Sequence, residues 1–197
     1  MIASQSTRCY LPLFPKSRIA TRLIYVSWRD PAPGLLKLNT DGASRGNPGP
    51  VRGGGGLRDC RGTMIFGFAF HFGRTTVFIA ELRALLIGMK ICRRLGIFPH
   101  VIELDSKTLV DLITSRAAPP WKALTWWSQL MLLYDEFQPA IVHTYREGNC
   151  FADSLATQGA DLTYYRIFRS ESELPRLARG CLRLDRLGLP NVRTCAG

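Results

Sequence analysis

Lys37-Leu38-Asn39-Thr40-Asp41-Gly42-Ala43-Ser44 is the stretch on which the fold turns. Leu36 and Leu38 alternate with Lys37 and Asn39, so Leu35 to Thr40 reads as a β-strand with one apolar face. The strand ends on a carboxylate, Asp41, and runs into a loop, residues 42–55, rich in glycine and proline. One acid at a strand end can be an ordinary cap. Three more acids stand in comparable places: Glu81 in Ala80-Glu81-Leu82-Arg83-Ala84-Leu85, Asp105 in Glu103-Leu104-Asp105-Ser106, and Asp153 in Ala152-Asp153-Ser154-Leu155. If these four converge, they repel one another unless a cation sits between them. Hard divalent ions such as Mg²⁺ and Mn²⁺ take oxygen ligands of this kind.

Working outward, Gly54 to Leu57 and Met64 to Phe70 read as the next two strands, turning at Asp59 to Gly62. Phe78 to Leu95 reads as a helix. On it Glu81, Leu85, Gly88 and Cys92 share one face, so an acid lies among residues suited to packing on a sheet, and Gly88 allows close approach. Val101 to Leu104 is a short buried strand with Asp105 at its end, and Ser106 can cap a helix over Lys107 to Thr114. Trp121 to Phe137 reads as a helix, Ile141 to Tyr145 as the last strand and Cys150 to Ala160 as the last helix. The order predicts an α/β fold with a mixed five-stranded sheet flanked by helices, antiparallel in its first half and helix-crossed in its second.

The ordered set of motifs resembles the ribonuclease H type 1 domain, in the form common in plants and in plant non-LTR retrotransposons. The matching pieces are Lys37 to Ala43, Gly46-Asn47-Pro48-Gly49, Gly54 to Asp59, Ala80 to Leu85, Glu103 to Ser106, and Arg146-Glu147-Gly148-Asn149 leading to Ala152-Asp153. The resemblance spans roughly Trp28 to Asp161, and Leu174 to Arg193 looks like the extension that often follows this domain in plants. It implies an endonuclease that hydrolyses the RNA strand of RNA–DNA hybrids with Mg²⁺, or Mn²⁺, by a two-metal carboxylate mechanism. Asp41, Glu81, Asp105 and Asp153 would be both the catalytic and the metal-binding residues. In that family reading Asp41 bridges both metals and Asp105 serves the metal carrying the attacking water. Glu81 holds substrate-side water, and Asp153 completes the second site. Gly42, Ser44 and Asn47 are the matched candidates for contacting nucleic acid; Gln129 lies outside the matched motifs. Before any metal binds, the cluster should hold at least one extra proton, with Glu81 and Asp153 the expected carriers. The loop after the last strand is short and lacks the mobile His of many members, and His143 lies in the strand before it. A catalytically weak or inactive nucleic-acid-binding module, derived from a retroelement, is the alternative reading.

The chain has 197 residues and a net charge of +11. Residues 34–161 carry 14 basic and 11 acidic side chains, so most of the excess sits in the two ends. The predicted division is a basic N-terminal arm or linker over 1–27, the ribonuclease H-like domain over 28–161 and a basic C-terminal extension over 162–197. A basic balance suits a phosphate backbone. Residues 1–29 contain no acid, which fits a linker and also an organelle transit peptide; nucleus or cytoplasm is the first expectation for location, an organelle the alternative. The six cysteines show no CxxC spacing and read as reduced thiols. No apolar run approaches the ~20 residues of a membrane-spanning helix. The expected partner is the hybrid, bound by a monomer.

Overall fold

The computed structural model describes residues 21–158 and 165–196. The chain starts with β1 (Thr21–Val26) and then lays down β2 (Lys37–Ser44), β3 (Gly49–Arg58) and β4 (Met64–Thr75). α1 (Val77–Leu95) crosses to β5 (Val101–Leu104). α2 (Lys107–Ser115) and α3 (Leu124–Phe137) lead to β6 (Ala140–His143), and α4 (Cys150–Gln158) follows a 3-10 turn at Arg146–Gly148. β7 (Tyr165–Phe168), α5 (Arg176–Arg186) and β8 (Asn191–Ala196) complete the described part.

The main sheet has the order β6-β5-β2-β3-β4-β7. β3 pairs antiparallel with β2 and β4, whereas β5 pairs parallel with β2 and β6 parallel with β5. The five expected strands are present, and a sixth, β7, joins the free edge of β4 antiparallel. It comes from the C-terminal extension, where Tyr165-Arg166-Ile167-Phe168 sits outside the matched motifs and breaks its apolar pattern with Arg166. The loop expected over 42–55 contracts to Arg45–Pro48, because β2 continues to Ser44 and pairs with Val51 of β3. A ladder is built from backbone groups, so the glycines of 53–56 do not interrupt it. Their missing side chains admit helices on both faces. A Cβ at Gly53 would strike the Ala84 methyl of α1, and one at Gly54 would lie 2.2 Å from the Ala156 nitrogen of α4.

Side chains alternate across the sheet. Leu38, Leu57, Phe68, Ile102 and Leu104 enter the core covered by α1, α2 and α3. On the opposite face Met64 and Ala69 meet Phe151 and Leu155 of α4, and Leu174, Ala178 and Leu182 from the extension close this second core. α1 starts at Val77 with Thr76 as its cap, whose Oγ1 accepts the Ile79 N–H, and ends at left-handed Gly96. Ser106 stands at the cap position of α2 but makes no side-chain capping bond. The expected helix from Trp121 opens as a 3-10 turn, and residues 159–160 of the last predicted helix lie outside the described residues, as do residues 1–20. β1 pairs antiparallel with β8, tying the described start of the chain to its end. Among the described residues no helix is long and apolar enough to cross a membrane.

Candidate metal centre

The sheet register brings the first two acids together. β2 and β5 run parallel with Thr40 opposite Leu104, so the next residues, Asp41 and Asp105, emerge side by side. Glu81 arrives from the second turn of α1. That helix lies against β2 because Gly42 has no side chain; a Cβ there would sit 2.3 Å from the Glu81 backbone nitrogen. One carboxylate oxygen each from Asp41, Glu81 and Asp105 falls within 4.8 Å of the others. Asp41 and Glu81 are buried, and Asp105 is half-buried.

Burial dominates the electrostatics. It pushes the Asp41 carboxyl up to about 7, with the Asp105 and Asp153 charges adding to the effect. Glu81 is driven well above the usual carboxylate range, first by burial and then by Asp41 and Asp105. Asp105 is raised by burial as well. The Gly42 N–H opposes the shift at both Asp41 and Glu81. Asp41 Oδ2 and Glu81 Oε2 are buried with no hydrogen-bond partner. Orphaned carboxylate oxygens are costly, and an all-oxygen donor set is what a hard divalent cation takes. The residues present therefore fit Mg²⁺ or Mn²⁺.

Asp153, in the first turn of α4, stands beside the trio without joining it. Its Oδ1 accepts from Arg146 Nη2, because the 3-10 turn at Arg146–Gly148 folds that guanidinium back over the start of α4. Of the candidates for nucleic acid, Gly42 is buried beneath α1 with its N–H serving the two carboxylates. Ser44 is half-buried and donates to the Gly46 carbonyl. Asn47 is exposed, and its Oδ1 accepts the Val77 N–H at 3.2 Å, tethering the β2–β3 loop to the start of α1. Gln129 accepts from Lys90 at 2.7 Å, and His143 is exposed on β6. Two residues that the sequence shows only as members of a matched motif, with no role assigned, matter here: Arg146 and Asn149. Asn149 is 1% exposed and gives its Nδ2 to the Thr40 carbonyl at 3.0 Å and to Asp105 Oδ1 at 3.5 Å. An Asn just before a helix reads as a cap in sequence, which conceals a bond to a distant strand.

The sequence pattern of the reverse transcriptase-like family matches residues 39–159, more than half of the chain. An Arabidopsis thaliana protein, provisionally named a ribonuclease H protein, is 34% identical over 170 residues; these are 85% of this chain and 27% of that protein, so the chain spans about a quarter of its length. The crystal structure of RNase H1 from the halophilic archaeon Halobacterium salinarum is 31% identical, with 65% of this chain and 98% of that chain covered at a TM-score of 0.58. LC11-RNase H1, solved in complex with an RNA/DNA hybrid, shares the fold at 24% identity and a TM-score of 0.57, over 62% of this chain and 94% of that one. With the sheet order, the acid cluster and these likenesses taken together, the chain belongs to the reverse transcriptase-like family of ribonuclease H domains.

Proposed function

We propose that this chain is a metal-dependent endonuclease that hydrolyses the RNA strand of RNA–DNA hybrids, acting as a monomer. The observation that carries this reading is the convergence of Asp41, Glu81 and Asp105, with two buried carboxylate oxygens that no protein group satisfies. When bound, two Mg²⁺ or Mn²⁺ ions would supply an activated water and stabilise the leaving oxygen of a phosphodiester. Asp41 and Asp105, at adjacent strand ends, and Glu81, from α1, would hold the ions through their carboxylate oxygens. Asp153 would join them if Arg146, now paired with it, turned to the substrate. Arg146 is exposed, and its planar fork of donors suits the phosphate that follows. Ser44, the last residue of β2, and Asn47, in the loop that follows it, are the side chains we assign to the 2′-hydroxyl that separates RNA from DNA.

The test is cleavage of labelled RNA–DNA, RNA–RNA and DNA–DNA duplexes with Mg²⁺, Mn²⁺ or EDTA. Cutting of the RNA strand in the hybrid alone, abolished by EDTA, is the expected result; equal cutting of all three duplexes would refute the substrate assignment. A second reading, a hybrid-binding module without turnover, is favoured by one observation: Arg146 already neutralises Asp153. Binding to hybrid without cleavage in any metal would select it.

A further inference from the structure

Behind the acid cluster runs a line of buried polar side chains. Arg58 of β3 is fully buried between the rings of Trp28, 3.6 Å from guanidinium carbon to ring centroid, and Phe151. Its Nη1 donates to Asp185 Oδ2 of α5 at 2.6 Å, and its Nη2 donates to Asn39 Oδ1 at 2.8 Å. Trp28 Nε1 donates to the same Asn39 oxygen at 3.0 Å. Asn39 Nδ2 then donates to Glu103 Oε2 at 3.0 Å and to Asn149 Oδ1 at 3.2 Å, and Asn149 Nδ2 to the Thr40 carbonyl and Asp105 Oδ1.

The direction of this line is fixed by chemistry. Arginine and the indole nitrogen are donors only. They oblige Asn39 to present its oxygen to them, which sends its NH₂ toward the Glu103 carboxylate and Asn149. Asn149 must answer with its oxygen, which turns its own NH₂ onto Asp105. Reversing either amide would set donor against donor in a site without water access. Asp185 is what lets Arg58 stand there, because a guanidinium buried without an anion is strongly disfavoured. Both ends of the line, Trp28 and Asp185, lie outside the residues matched by the family pattern.

We propose that Asp185 and Trp28 are positioning residues of the metal centre: acting through Arg58, Asn39 and Asn149, they orient the Asp105 carboxylate, so the C-terminal helix sets the affinity of the site for its divalent ion. The inference rests on the proposed metal-binding role of the acids. Outer partners that orient a metal ligand change affinity by about 10–100-fold when removed.

The experiment is Mg²⁺ binding by calorimetry on the full chain, beside melting curves in EDTA. Asp185→Asn keeps the shape and removes the charge; it should weaken Mg²⁺ binding by about tenfold. Trp28→Phe keeps the ring and removes the donor; it should weaken binding severalfold. Leu182→Ala, which loosens α5 in its core without touching the line, should lower the melting temperature and leave Mg²⁺ affinity unchanged. A folded Asp185→Asn protein with wild-type affinity overturns the proposal. So does an equal loss in Leu182→Ala, which would trace the effect to general loosening. If Asp185→Asn does not fold, Trp28→Phe decides, and unchanged affinity there overturns the proposal. A wild-type chain that binds no Mg²⁺ would instead sink the reading of the acids beneath it.

Discussion

At the scale of single residues, Asp41 concentrates the tension of the site. It is 4% exposed, beside two other acids of the trio, with one oxygen unpartnered. Asp41→Asn should abolish cleavage, since an amide supplies no charge to a cation. In EDTA near neutral pH it should raise the melting temperature by a few degrees, because a repelled, desolvated charge has gone. The pH dependence follows from the raised value. The folded chain keeps the Asp41 proton up to about 7, whereas the unfolded chain loses it near 3.8. The stabilising contribution is therefore complete below the lower value and is lost as pH rises through the higher one. Metal-free wild type should lose melting temperature across that window more steeply than Asp41→Asn. A parallel pH profile in the two proteins would show that Asp41 does not titrate there. The sequence named all four acids but assigned the extra proton to Glu81 and Asp153. Burial is set by tertiary packing, and the approach of α1 over Gly42 places the raised groups at Glu81 and Asp41.

At the scale of elements, glycine decides how closely helices approach the sheet. Gly54 faces the backbone of α4, which cannot yield as a side chain tip can. Gly54→Ala should cost about 1–3 kcal/mol or more and should reduce cleavage, because α4 carries Asp153. Gly180, within α5, has no heavy atom within 4 Å of where its Cβ would stand. Gly180→Ala should stabilise the protein by about 0.5–1 kcal/mol. Paired chemical denaturation curves check both, and a destabilised Gly180→Ala would contradict the open space seen there. The same glycines explain what was hard to read in advance. Periodicity marked β5 at Val101–Leu104 and α1 within one residue of its start. Residues 49–56 of β3 have few side chains to carry a pattern, so much of that strand reads as loop in the sequence. The line from Asn39 to Asn149 joins residues 110 positions apart, and no local signal announces it.

At the scale of the whole molecule, the basic extension is part of the body. Leu174, Ala178 and Leu182 complete the second core, β7 covers the edge of β4, and Asp185 is buried against Arg58. On charge alone, residues 162–197 read as a basic arm suited to a phosphate backbone. The packing predicts otherwise: deleting residues 170–197 should abolish cooperative unfolding, since it removes the buried side chains of Leu174 and Leu182, each worth about 2–5 kcal/mol, and takes from buried Arg58 its Asp185 partner. A truncated chain that still melts sharply within a few degrees of wild type would refute this. The pairing of β1 with β8 has a mechanical consequence. Thr21 lies opposite Ala196, and the ribbon runs inward from there to Val26 and Asn191. A pull applied at the two ends thus loads its hydrogen bonds one rung at a time, as a zip opens, instead of shearing them together. The ribbon should part at low force, in a step that precedes rupture of the six-stranded sheet, and the tension would then pass to Trp28 and α5, which hold the line to the acids.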